Sequence, residues 1–179
     1  MAKQRKKMLL VDGYNVLRSG NRYRDAFLHP DYTDDAFNAA RERLINDVVS
    51  YAGRDYKAVI VFDGADNQYS TGEVQSIGGV RIMFSPAGQS ADKVIEKLAH
   101  DARLRQVECL VVTSDATIQD TVFGFGIDRM SANGFSREVG TYYEEARLDE
   151  TPKVAKKRTL ADRIDPDVRA KLIALRDGK

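Results

Sequence analysis

Met8-Leu9-Leu10-Val11-Asp12-Gly13-Tyr14-Asn15 reads as a short interior strand that ends in a carboxylate. Its apolar run is long enough to be covered on both faces, as strands of a parallel sheet are. Asp12 arrives at the strand's C-terminal end, where open α/β sheets bind their ligands, and Gly13 permits a sharp exit. The pattern recurs. Residues 58–62 (Ala-Val-Ile-Val-Phe) run into Asp63-Gly64, and residues 109–112 (Cys-Leu-Val-Val) run into Thr113-Ser114-Asp115.

Working outward, strand one is expected over residues 7–12. Residues 16–33 have no clean period and read as a long loop. Arg18, Arg22 and Arg24, with Tyr14 and Tyr23, give it a cation-and-aromatic character suited to single-stranded nucleic acid; a polar surface loop has the same composition. Ala36, Phe37, Ala40, Leu44, Ile45, Val48, Val49 and Ala52 then recur at three and four spacing, predicting a helix from Thr33 or Asp34 to a stop at Gly53. Strands follow over 58–62 and 80–84, with a minor one over 74–77. Ser90 caps a second helix over 90–105, whose buried stripe is Val94, Ile95, Leu98, Ala99 and Ala102. Strand four (109–112), a helix over 116–123, a last short strand (128–131) and a helix over 136–148 complete the pattern. Strand–helix alternation is the signature of a parallel sheet with helices on both faces. The expected organisation is one α/β domain over residues 1–150. A basic, partly helical C-terminal extension is expected over 151–179, with a helical pattern over 167–175.

Net charge is +1, so total charge does not announce a nucleic-acid partner. Its distribution is more uneven: Lys3, Arg5, Lys6 and Lys7 crowd the start, and Lys153, Lys156, Lys157 and Arg158 crowd the extension. Such blocks are solvated ends or docking points for a polyanion. The single cysteine, Cys109, excludes an intrachain disulfide and a cysteine-based zinc cluster, and its apolar setting reads as a buried, inert thiol. Only four apolar residues follow the basic start, too few for a secretory signal core. No stretch approaches the roughly 20 apolar residues of a membrane span. A cytoplasmic protein is the expectation; the sequence does not speak to oligomeric state.

Four acids share an address. Asp12, Asp63 and Asp115 end strands, and Asp92 opens the helix after strand three, so parallel topology places them at one edge. Each has an ordinary alternative. Asp-Gly pairs make turns, Asp92 meets a helix dipole, and Ser114 or Asp115 caps a helix. Together, without a nearby lysine, they would repel one another. A hard divalent cation relieves this, and oxygen-only ligation suits Mg²⁺ or Mn²⁺. Such an ion supports water activation and leaving-group stabilisation in phosphodiester cleavage. Other phosphate enzymes fit less well. A haloacid-dehalogenase-like phosphatase needs an acid two residues after the first, where Tyr14 stands. The P-loop ending is absent, and Gly124-Phe125-Gly126 follows a helix rather than a strand. His29 and His100 lack metal-ligand spacing and read as surface or helix residues.

The opening stretch resembles that of the NYN domain, a branch of the PIN-like nuclease superfamily, most of all its YacP-like bacterial group. Val61-Phe62-Asp63-Gly64, Ser90-Ala91-Asp92 with Ile95-Glu96-Lys97-Leu98, and Thr113-Ser114-Asp115 are similar to the later motifs, in the right order. Phe123-Gly124-Phe125-Gly126 and Ser131-Ala132 are similar too, so the likeness spans about residues 7–148. It implies a metal-dependent endoribonuclease acting on single-stranded RNA, with Asp12, Asp92 and Asp115 as metal ligands and Asp63 beside them. Asn15 matches the polar residue beside the first acid. Glu96 is a candidate outer acid and Ser114 a supporting one. The resemblance also implies messenger RNA as substrate and a connection with the ribosome. A second reading is a non-catalytic RNA- or ribosome-binding module that keeps the fold. A third is a metal-dependent phosphatase on a small substrate, which the long basic loop disfavours.

Overall fold

The computed structural model describes residues 6–28, 33–64, 72–122 and 124–150. Among the described residues, six strands and six helices follow in the order β1 (Lys7–Asp12), α1 (Gly13–Ser19), α2 (Asp25–Leu28), α3 (Asp34–Ala52), β2 (Tyr56–Phe62), β3 (Val74–Ile77), β4 (Val80–Phe84), α4 (Ala91–Leu104), β5 (Cys109–Val112), α5 (Ala116–Thr121), β6 (Ile127–Met130) and α6 (Ala132–Glu150). The strands form one sheet in the order β3-β4-β2-β1-β5-β6. All neighbours are parallel except the β3–β4 hairpin at one edge. That hairpin turns on Gly78 and Gly79, both at positive φ (57° and 83°). Two such residues in succession make the tight turn whose twist matches the flanking strands.

The period-2 alternation of a strand divides β1 and β2 between two cores. Leu9, Val11, Ala58, Ile60 and Phe62 pack beneath α1, α3 and α6, through Val16, Leu17, Leu44, Val48, Phe135 and Val139. Leu10, Val59 and Val61 pack beneath α4 and α5, through Ile95, Ala99, Ala102 and Ile118. The sheet is therefore covered on both faces, as its apolar strands require. Cys109 is buried in the second core, and burial pushes its thiol up to about 12.

The chain divides into two compact units, residues 1–144 and 145–179. The division falls within α6, whose buried residues Ala132, Phe135, Ser136 and Val139 all lie in its first half. Of the second unit only residues 145–150 are described. The expected tail helix, the basic block of Lys153, Lys156, Lys157 and Arg158, and Lys3, Arg5 and His29 lie outside the described residues. Among the described residues, no helix is long and apolar enough to cross a membrane.

One stretch departs from expectation. The segment read as a loop begins with helix α1 immediately after Asp12 and contains α2. Helix α1 has only seven residues and no polar-face rhythm, so no period betrays it. It is held by packing: Val16 and Leu17 are fully buried. Gly13 is accordingly helical. It is required because a Cβ there would stand 2.4 Å from the Phe62 ring, rather than to turn the chain.

Candidate active site

Strand β1 lies between β2 and β5, and the chain leaves β1 and β5 by opposite routes. After β1 it enters α1 on one face of the sheet. After β5 it enters α5 on the other. This divergence opens a crevice beyond the C-terminal ends of β1 and β5, the position where such sheets bind ligands. A cavity of about 570 Å³ lies there, lined by Asp12, Tyr14, Asn15, Arg18, Ser19, Asp63, Gly64, Ala91, Asp92 and Asp115.

Parallel register aligns the strand ends. Asp12 pairs with Val61, two residues before Asp63, and Val11 pairs with Val112, three before Asp115. Asp92 comes from the first turn of α4, capped by Ser90, whose hydroxyl accepts from the Lys93 amide. All four sequence-predicted acids therefore line one pocket. Asp63 is exposed and accepts from the Ser85 hydroxyl at 3.4 Å.

Asp12 is only 6% exposed. Its carboxylate caps α1 by accepting from the Asn15 amide (3.3 Å) and takes a second hydrogen bond from the Thr113 hydroxyl (3.1 Å). Thr113 Oγ1 in turn accepts from the Asp115 amide (3.1 Å), so one buried hydroxyl ties two of the acids together. Burial pushes the Asp12 carboxyl up to about 6 against these hydrogen bonds, and the charges of Asp92 and Asp115 push the same way. Asp92 is also raised, by burial first and then by Asp115, Asp63 and Glu96. Mutual repulsion among carboxylates is thus a property of this site.

The supporting residues act as struts. The Asn15 side-chain oxygen accepts from the Ser114 amide at 2.7 Å, and Ser114 Oγ accepts from the Ala132 amide at 3.0 Å. Together they lock the turns after β1 and β5 to the start of α6. With its oxygen engaged, the Asn15 amide group keeps its two N–H donors for the pocket. Glu96 lies outside the lining and accepts from Thr121 on α5 (2.9 Å), while its charge still reaches Asp92. Asp115 spends one oxygen capping α5 through the Thr117 amide (2.8 Å).

Of the three arginines, Arg18 lines the pocket, with its guanidinium 5.9 Å from the Tyr14 ring centroid. Tyr14 itself stacks edge-on against Phe62. Arg22 faces elsewhere. It pairs with Asp47 of α3 (2.6 and 3.2 Å), which is 2% exposed and also accepts from the Tyr23 hydroxyl (2.8 Å). This buried knot fastens the segment after α1 onto α3. Arg24 is exposed in the turn before α2. Sequence reasoning missed Thr113 and Asp47. Asp47 falls among the inward positions of the α3 stripe, where an acid signals a buried partner.

The site is rich in oxygen donors and poor in cations, with Arg18 the one basic residue among those lining it. Among the described residues, no three His, Cys, Asp or Glu side chains are held together as a finished ligand set for one ion. The donor chemistry still matches a hard cation. Mg²⁺ keeps several of its waters and needs only one or two direct carboxylates, so a ring of acids around a hydrated ion suits it.

The model of the YacP-like NYN domain family matches residues 9–177, which carries the likeness beyond the motifs into the C-terminal extension. The uncharacterized protein YacP of Bacillus subtilis (strain 168) is 33% identical over 134 residues, 75% of either chain. Two crystal structures of Rae1 (YacP) from Bacillus subtilis are similar over nearly their whole length. A tryptophan-to-leucine mutant has a TM-score of 0.63 at 29% identity, covering 94% of this chain and 99% of that one. The other has a TM-score of 0.61 at 28% identity, covering 96% and 95%.

Proposed function

The chain belongs to the YacP-like NYN domain family, a nuclease family, and from that premise we propose that it is a metal-dependent endoribonuclease that cleaves single-stranded RNA. The observation that carries this reading is the convergence of Asp12, Asp63, Asp92 and Asp115 on one pocket at the sheet's switch point. Asp12, Asp92 and Asp115 would surround a hydrated divalent cation, Mg²⁺ or Mn²⁺, with Asp63 beside it. When bound, such an ion polarises the phosphate and makes water a competent nucleophile at neutral pH. The rest falls to the chain's own residues. The Thr113 hydroxyl and the Asn15 amide fix the Asp12 carboxylate. Asn15 directs its N–H donors at a phosphate oxygen. Arg18 counters phosphate charge, its guanidinium lying over the Tyr14 ring, which Phe62 and Phe37 pack against. Messenger RNA engaged with the ribosome is the substrate the family likeness suggests.

The test is cleavage of an unstructured RNA in Mn²⁺ by wild type, Asp12→Asn and Asp92→Asn, with and without ribosomes. Wild type should cut, and both variants should lose about three orders of magnitude or more in rate. Equal cutting by all three would remove the acids from the chemistry. RNA binding without metal-dependent turnover would favour a non-catalytic module.

A further inference from the structure

A second concavity lies at the opposite end of the sheet. It also measures about 570 Å³ and is lined by Lys6, Lys57, Arg81 and Arg105 around an apolar floor of Met8, Leu98 and Val107. Asp101 is the one carboxylate among its lining residues. Topology gathers these cations from four parts of the chain, Lys6 coming from just before β1. Lys57 precedes Val59, Val59 pairs with Arg81 across β2 and β4, and Arg105 caps the end of α4. Lys57 shares its strand face with Val59 and Val61, which pack beneath α4, so both basic strand positions open under that helix.

Helix α4 joins this basin to the acid pocket. Its first turn carries Asp92 into the pocket, and its last reaches the basin, about 20 Å away at 1.5 Å per residue. Residues four apart share a helix face. Lys93, Lys97, Asp101 and Arg105 make one such stripe, and its three cations are exposed. Lys93 follows Asp92, so the stripe starts in the helical turn that carries Asp92 into the site. Glu96, on the adjacent flank, is engaged by Thr121.

The acid pocket presents four carboxylates and one arginine to an incoming polyanion. It cannot supply the electrostatic attraction that dominates nucleic-acid affinity, and that attraction has to come from another surface. We propose that the cationic track along α4, from Lys93 to the basin of Lys57, Arg81 and Arg105, binds the phosphate backbone of RNA outside the position that is cut. The apolar floor takes a base or sugar from the bound strand. The proposal rests on the nuclease reading only in taking RNA as the polyanion.

The experiment measures binding of the full chain to a long polyuridine RNA in chelator, across a salt titration, with no cleavage involved. The triple variant Lys57→Glu, Arg81→Glu and Lys97→Glu should bind about tenfold or more weakly at low salt. Its salt slope should be shallower by about 2, at about 0.7 per lost phosphate contact on a single strand. Arg137→Glu, an exposed arginine on α6, should leave affinity unchanged. The glutamine triple variant, with thermal melting alongside, separates charge loss from misfolding. Unchanged affinity and slope in the triple variants would overturn the track, as would an equal loss in Arg137→Glu or no RNA binding by wild type. Loss of binding to phosphatidylglycerol vesicles with RNA binding retained would replace it with a membrane site. Track-dependent RNA binding without Mn²⁺-dependent cleavage would overturn the nuclease reading and leave the track standing.

Discussion

Asp12 is a costly residue for this fold to hold. Its carboxyl titrates near 6, against 3.8 for an ordinary aspartate. A folded-state value above the unfolded one means that the folded chain keeps a proton the unfolded chain has released. The stability this group contributes is fully present below about pH 4 and is lost as pH rises through 6. At neutral pH the ionised form costs about 3 kcal/mol. In chelator, stability measured by urea unfolding should therefore fall from pH 4 to 7. Asp12→Asn should flatten that dependence and raise the neutral-pH midpoint, because asparagine still caps α1 and still accepts from Thr113. The same substitution should abolish cleavage, a stability gain against an activity loss. Gly13 makes the complementary case. Gly13→Ala should cost about 1–3 kcal/mol, because its Cβ would collide with the buried Phe62 ring. A neutral effect would show that Phe62 can yield.

At the scale of elements, the site depends on joints between helices and strand ends. Asn15 and Ser114 couple the turn after β1 to the turn after β5. Asn15→Ala should lower kcat by about one to two orders of magnitude, with RNA affinity nearly unchanged, since it removes a strut and a phosphate donor rather than the track. A rise in KM alone would instead assign Asn15 to substrate binding. The Arg22–Asp47–Tyr23 knot does for the α1–α2 segment what a longer helix would do by itself. Asp47→Ala strands a partly buried guanidinium and a buried phenol. It should cost about 3–5 kcal/mol in unfolding free energy. The positions of α3 and α4 were legible because their apolar residues recur at helical spacing and capping residues precede them. Helix α1 was not, because a seven-residue helix has too few turns to show a period, and its stability comes from Val16 and Leu17 entering a core built by distant segments.

For the whole molecule, a cation that binds among the acids of the folded chain must stabilise it. Mg²⁺ at a hundred times its dissociation constant should add about 2.7 kcal/mol, read as a rise in melting temperature. Replacing Asp12 and Asp92 together by asparagine should remove that rise; its survival would move the ion elsewhere. The sequence alone determined the alternation of strands and helices, the burial of both sheet faces and the placement of acids at three strand ends. Each of these depends on local periodicity and on which end of an element a residue occupies. Tertiary structure alone decided which charges work together. Strand order set β1 between β2 and β5 and so brought Asp12 to Asp115, a hundred residues away. It turned Arg18 into the pocket and Arg22 onto Asp47, though the two lie four residues apart in one basic segment. It also assembled the basin beneath α4 by bringing Lys57, Arg81 and Arg105, which form no block in the chain, to Lys6 of the basic start. A side chain's partner is fixed by packing across the core, and packing has no period to read.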